Sequence, residues 1–115
     1  MPYLSIMLAP VKQADKDAYL DHARDMWPIF QKHGALSLVE QWGVDLPEGQ
    51  ITDFPKSVKL EADESLALGW ITWPDRDTHD RAWQALENDP DMAMRDLPFD
   101  GRRMVFGGFE TILSL

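Results

Sequence analysis

The sequence predicts an α+β fold with the element order β-α-β-β-α-β. Three observations carry this prediction. Four short apolar or alternating runs, Tyr3–Ala9, Ala35–Gly43, Ser65–Trp73 and Met104–Leu113, read as strands. Two segments between them, Asp15–His33 and the stretch from Asp75 to Asn88, carry apolar residues at helical spacing. A length of 115 residues with 44% hydrophobic residues suits one domain, 1–115, with one modest core. The order is that of the ferredoxin-like split motif, a four-stranded antiparallel sheet with two helices on one face.

Each element has a local cause. Pro10 should end the first strand, because proline donates nothing to a ladder. In the first helix Tyr19, Ala23, Met26, Trp27 and Phe30 form one stripe, with Pro28 predicting a kink and Gly34 a left-handed cap. In the second strand Leu36, Leu38, Glu40 and Trp42 share a face, opposite Ala35, Ser37, Val39 and Gln41. Pro47, Glu48 and Gly49 mark a turn, and the segment 52–60 reads as either a helical turn or an extended edge. The third strand is apolar on both faces, Leu66, Leu68 and Trp70 against Ala67, Ile71 and Trp73. Asp75 is placed to cap the second helix, whose inner face is His79, Ala82, Trp83 and Leu86. The connection 91–103 is long for a compact domain. In the last strand Gly107-Gly108 predicts a bulge or a close backbone approach.

Two helices cover only one face of such a sheet, and the other face is apolar too. A second copy is the simplest cover, so the expected assembly is a homodimer with sheets face to face, a dimeric α/β barrel.

Composition removes several functions. There are 20 acidic and 11 basic residues, a formal net charge of −9, which argues against nucleic acid or an anionic membrane as partner. The absence of cysteine excludes disulfides, thiolate metal sites and thiol nucleophiles. The start of the chain lacks a basic leader and a cleavage signal, and it is read as the first strand of a cytoplasmic protein. No phosphate-cradling glycine loop and no serine-hydrolase elbow occurs. His22 with Asp25 at i, i+3 lacks a third metal ligand, and neither a metal nor another cofactor is expected.

Five residues stand out as candidate ligand contacts: Glu40, Trp42, Asp53, Trp70 and Arg103. A carboxylate on an apolar face has its pKa raised and can act as a base, so Glu40 is either that or a strand-end residue paired with Arg102 or Arg103. Arg103 is either an inward clamp for a substrate carboxylate or enolate, or a salt-bridge partner of Asp53, Asp100 or Glu110; the second reading weighs more. Asp53 either caps a turn or joins the site. Trp42 and Trp70 are either core or the walls of an aromatic cleft for a flat ligand. His79, on the apolar face of its helix, reads as a satisfied boundary residue ahead of a base or haem ligand.

Glu40-Gln41-Trp42-Gly43, Thr52-Asp53-Phe54, Trp70-Ile71-Thr72-Trp73-Pro74, Pro98-Phe99-Asp100-Gly101-Arg102-Arg103-Met104 and Gly107-Gly108-Phe109-Glu110 resemble the domain of unknown function 1428 family, in order and over nearly the whole chain. The resemblance implies a bacterial ferredoxin-like fold of the dimeric α/β-barrel type and carries no activity or catalytic residue. Gln41 stands where relatives often have Cys, and Ser5-Ile6 where they have Gly-Phe. More distant barrels of this type include cofactor-free monooxygenases, haem-degrading enzymes and lactone isomerases, an analogy of fold alone.

The functional expectation is a small-molecule-binding protein, with cofactor-free oxygenation or isomerisation through a stabilised enolate as the fitting reaction types. Its site is expected between the open sheet face and the loops 44–60 and 91–103. The rival is a non-catalytic dimeric module that regulates or scaffolds. The rival predicts that the face bearing Glu40 and Trp42 is filled, with acids and arginines paired to each other.

Overall fold

The computed structural model describes residues 2–92 and 96–115. Strands β1 (Tyr3–Lys12), β2 (Ser37–Trp42), β3 (Glu64–Trp73) and β4 (Val105–Glu110) form one antiparallel sheet in the order β2-β3-β1-β4. Helices α1 (Lys16–Lys32) and α3 (Arg76–Glu87) cover one face, and a short helix α2 (Phe54–Ser57) sits in the loop between β2 and β3. The body measures 37 × 37 × 21 Å, the thickness of two layers. The sheet of one chain is open, so the barrel expectation does not describe the single chain.

The β1 strand continues past Pro10 to Lys12, against expectation. The reason is local. β4 pairs only with Tyr3 to Leu8, so beyond Leu8 one side of β1 has no ladder neighbour and proline removes no bond there. Helix α1 carries Pro28 inside it, as the spacing predicted. It ends in a Schellman arrangement, where Ala35 N–H donates to the Phe30 carbonyl and Gly34 N–H to the Gln31 carbonyl. Gly34 takes φ +106°, as the cap requires.

The ambiguous segment 52–60 is helical at its centre. Asp53 caps α2, accepting from Lys56 N–H at 2.7 Å, and Asp75 caps α3, accepting from Thr78 N–H at 2.7 Å. Gly107-Gly108 forms no bulge, since the register against β1 runs without interruption. It is a close approach instead: a Cβ on Gly108 would collide with the Tyr3 hydroxyl.

Three clusters hold the layers together. Tyr3, Ala35, Ile71, Trp73 and Ala82 pack at one end of the sheet, Ala9, Val11, Tyr19 and Ala67 at the other, and Met26, Ile29 and Leu86 join the two helices. Trp73 is fully buried, and its indole N–H donates to Ser5 Oγ at 3.0 Å.

A Cβ at position 34 would lie 2.7 Å from Thr78 Cγ2, in a backbone conformation that side chains disfavour. Gly34→Ala should therefore cost about 1–3 kcal/mol. Urea unfolding with an unchanged m-value is the measurement, and a neutral result would contradict this account of the cap.

Candidate functional site

Between the helices and the sheet lies a cavity of about 500 Å³. It exists because the inner face carries small residues at its middle. Two cross-sheet rows run through it. One is Glu40–Gly69–Met7–Phe106, and the next is Leu38–Ile71–Ser5–Gly108. Gly69 and Gly108 give up their side-chain space to the Glu40 carboxylate and the Tyr3 hydroxyl, and the small Ser5 and, from α1, Ala23 line the space that remains. The walls are apolar and aromatic. Phe30 comes from α1, Trp83 from α3, Phe106 from β4, and Leu97, Phe99 and Met104 from the connection before β4.

Glu40 is the carboxylate of this cavity. It faces Gly69 directly across the ladder, and a Cβ on Gly69 would collide with the Glu40 carboxylate oxygens. Glycine at position 69 thus makes room for the carboxylate to lie over the β3 backbone. Tyr19 reaches down from α1 and donates its hydroxyl to Glu40 Oε1 at 2.7 Å. Phe99 flanks the Tyr19 ring with centroids 5.8 Å apart.

Burial pushes the Glu40 pKa above the ordinary glutamate value, and the Tyr19 hydrogen bond offsets part of that rise. Burial also raises the Tyr19 phenol, with the Glu40 charge adding to it. The pair is therefore a carboxylate that takes up a proton more readily than an ordinary glutamate and a phenol that gives its proton up less readily.

A second polar group lies on the opposite wall. His79 and Trp83 both line the cavity, one helical turn apart. Trp83 Nε1–H donates to His79 Nε2, which places the imidazole proton on Nδ1, facing Asp80 Oδ1 at 2.8 Å. The Tyr3 ring packs against the same imidazole at a 55° tilt, with centroids 4.7 Å apart. His22 also lines the cavity. Among the described residues, no group of three or more His, Asp or Glu is arranged to hold a metal, and no helix is long and apolar enough to cross a membrane.

The structure separates the five sequence candidates. Glu40 lines the cavity. Trp42 shares its face but lies two residues further on, packed against Ala9, Val11 and Ala67 with Lys16 Nζ 5.3 Å from its ring centroid. Trp70 points to the open face, in register with Ile6 and Val39. Asp53 caps α2 and also accepts from Gly49 N–H at 3.0 Å. Arg103 sits in a turn at 101–103 and grips Glu64 with two bonds of 2.7 Å, while its Nε donates to Asp100 at 3.1 Å. The Arg103 guanidinium holds the nearly buried Glu64 carboxyl below the usual range. The cavity thus lies on the helix side of the sheet and not on the open face where a cleft was expected. The loop 91–103 still contributes Leu97 and Phe99 to it. Tyr19, which sequence reading placed only in the apolar stripe of the first helix, is the hydrogen-bond partner of Glu40.

Comparison with known proteins gives a consistent picture. Residues 2–101 match the family described as a protein of unknown function, DUF1428. The chain is 40% identical over 116 residues to the uncharacterised protein YbaA of Escherichia coli K12, covering 99% of each, and matches YbaA of Shigella flexneri equally. In structure it is similar to a dimeric ferredoxin-like protein from an uncultured marine organism, with a TM-score of 0.62 at 9% identity, covering 99% of this chain and 98% of that one. At that identity the likeness speaks for the fold.

A raised carboxylate pKa has a definite sign in stability. Between the ordinary value and the raised one the folded state binds more protons than the unfolded state, so the Glu40 contribution weakens as pH rises. Below the ordinary value both states are protonated and the penalty vanishes. The other titratable groups that line the cavity among the described residues, Tyr19 and His22 from α1 and His79 from α3, are unchanged in Glu40→Gln. The variant should melt higher than the wild type at about pH 8, with the gap closing toward about pH 4. Parallel melting curves across that range would refute the burial argument.

Proposed function

This chain belongs to the DUF1428 family of proteins of unknown function, and for it we propose a homodimer that binds an apolar small molecule between helices and sheet and moves a proton on it through Glu40. The observation that carries this reading is a half-buried carboxylate, held by one phenol, in a cavity of about 500 Å³ with otherwise mostly apolar walls. Ligand sites of this kind are concave, apolar and provided with few polar groups. Space beside Glu40 supports binding over the rival reading of a filled, non-catalytic module. The pairing of arginines with acids, Arg103 with Glu64 and Asp100 foremost, is what the rival reading has in its favour.

The chemistry follows from the pair. Glu40 takes a proton from a carbon next to a carbonyl. The C–H electrons form the carbon–carbon double bond, and the carbonyl oxygen becomes an enolate. On protonation Glu40 ceases to be a strong acceptor, and the Tyr19 hydroxyl turns its hydrogen toward the enolate oxygen. Return of the proton from Glu40 to a conjugated carbon completes an isomerisation with no other reactant. This assigns to Tyr19 the role that sequence reading gave to Arg103. In a cofactor-free oxygenation the same enolate would instead meet dioxygen.

The assembly rests on the other face. Leu4, Ile6 and Leu8 of β1, Leu68 and Trp70 of β3, Val39 of β2 and Val105 and Phe109 of β4 point away from the helices. Val105 is 42% and Phe109 52% exposed in the single chain. A contiguous apolar sheet face of this kind marks an interface, and the described dimeric neighbour has the same fold. A second copy packed face to face would cover it and complete the two-sheet barrel.

Two outcomes test this. In deuterium oxide the protein should speed exchange of the α-hydrogens of 2-tetralone, followed by NMR; Glu40→Gln should lower that rate by about 10²–10⁴-fold. Ala23→Phe, which fills the cavity, should abolish it, and exchange that survives both variants overturns the reading. Trp70→Glu should convert a dimer into a monomer by light scattering, whereas a wild type that is monomeric at about 10 μM would remove the interface.

A further inference from the structure

The groups around the cavity also specify the charge of what enters it, given the reading above that the cavity is a binding site. Glu40 brings a carboxylate into it. Several hydrogen-bond donors around the cavity are turned toward protein acceptors. The Tyr19 hydroxyl donates to Glu40, and the Nδ1–H of His79 faces Asp80. Ser5 Oγ accepts the Trp73 indole N–H, and His79 Nε2 accepts that of Trp83.

Arg103 is held by Glu64 and Asp100, and Lys16 lies over the Trp42 ring. Among the described residues no Lys or Arg lines the cavity. An anion inside would stand beside the half-buried Glu40 carboxylate, against apolar walls that include Phe30 and Phe99, where like charges repel more strongly than in water. The formal net charge of −9 adds to this on approach.

We propose that the cavity selects against anions, and that its substrate class is an uncharged apolar ketone, aldehyde or lactone without carboxylate or phosphate. Electrostatics of this kind is specificity by exclusion: the carboxylate that attracts an acidic C–H also repels an acid. Substrates whose handle is a phosphate or a carboxylate fall outside the class.

A matched pair of fluorescent probes tests it. N-phenyl-1-naphthylamine and 8-anilinonaphthalene-1-sulfonate share one aromatic skeleton and differ by a sulfonate. The full-length protein should bind the neutral probe with one site per chain, lost in Ala23→Phe. It should bind the sulfonate about 100-fold more weakly, as a like charge some 6 Å from Glu40 would dictate. Glu40→Gln, or Glu40→Ala should the first fold poorly, should bring the two affinities together. Equal binding of both probes to the wild type, lost in Ala23→Phe, would overturn charge selection and leave the cavity reading standing. A weak sulfonate that neither variant restores would also overturn it, because the exclusion would not come from Glu40. Failure of the neutral probe to bind, or binding indifferent to Ala23→Phe, would overturn the cavity reading and this inference with it.

Discussion

A carboxylate set between two apolar layers needs room and a hydrogen-bond donor, and the site is arranged around meeting both needs for Glu40. Room comes from Gly69, whose missing side chain lets the carboxylate lie over the neighbouring strand. The donor comes from Tyr19, which is itself buried and belongs to the cluster with Ala9, Val11 and Ala67. One hydrogen bond therefore ties α1 to the inner face of β2 across a space that neither fills. Removing the phenol would leave a desolvated carboxylate without a partner, the costly half of breaking any buried polar pair. The cavity and its acid are in this sense one feature: the small residues that open the space are also what make the carboxylate tolerable there.

Stability is supplied at the margins of that space. Glu64, nearly buried at the start of β3, is gripped by Arg103, which also binds Asp100 and the Lys59 carbonyl. This joins the turn before β4 to the far end of the sheet. At the opposite end Asp89 accepts from Lys32 at 2.8 Å and His33 at 3.0 Å, tying the C-terminus of α1 to the segment after α3. Both acids are held below their usual pKa range, Glu64 by Arg103 and Asp89 by Lys32 and the His33 hydrogen bond. As pH falls through those lowered values the two ties weaken, whereas the Glu40 penalty disappears; acid thus loosens the rim while it relaxes the site.

Much of the fold was legible because alternation and helical spacing are local. The four strands, the two long helices, the Asp75 cap and the Gly34 cap all follow from residues within a few positions of each other. Pro10 misled because its tolerance depends on where β4 stops, a fact about a strand some hundred residues later. Glu40 was legible as an acid on an apolar face, but Tyr19, 21 residues away, becomes its partner only once α1 docks on the sheet. The same holds for Arg103: Asp100 was within local reach, whereas Glu64, 39 residues distant, was not among the partners considered. Trp42 and Trp70 show the limit of alternation, which assigns a residue to a face of its own strand without saying which face the helices cover or how far along it the space extends.

The two faces of the sheet are bound together by that same alternation. Along β3, Gly69 and Ile71 serve the cavity while Leu68 and Trp70 serve the exposed face, and along β1 Ser5 and Met7 alternate with Leu4, Ile6 and Leu8. A slip of β2 by one residue would carry Glu40 to the open face and Val39 into the cavity, so the register is what gives each face its chemistry. The Glu40–Gly69 pair enforces it from the inside, because positions flanking Gly69 on β3 carry Leu68 and Trp70, against which a carboxylate could not lie. An apolar outer face can thus drive association without intruding on the site. The backbone transmits little from one side to the other except the shared requirement that this one pair stay aligned.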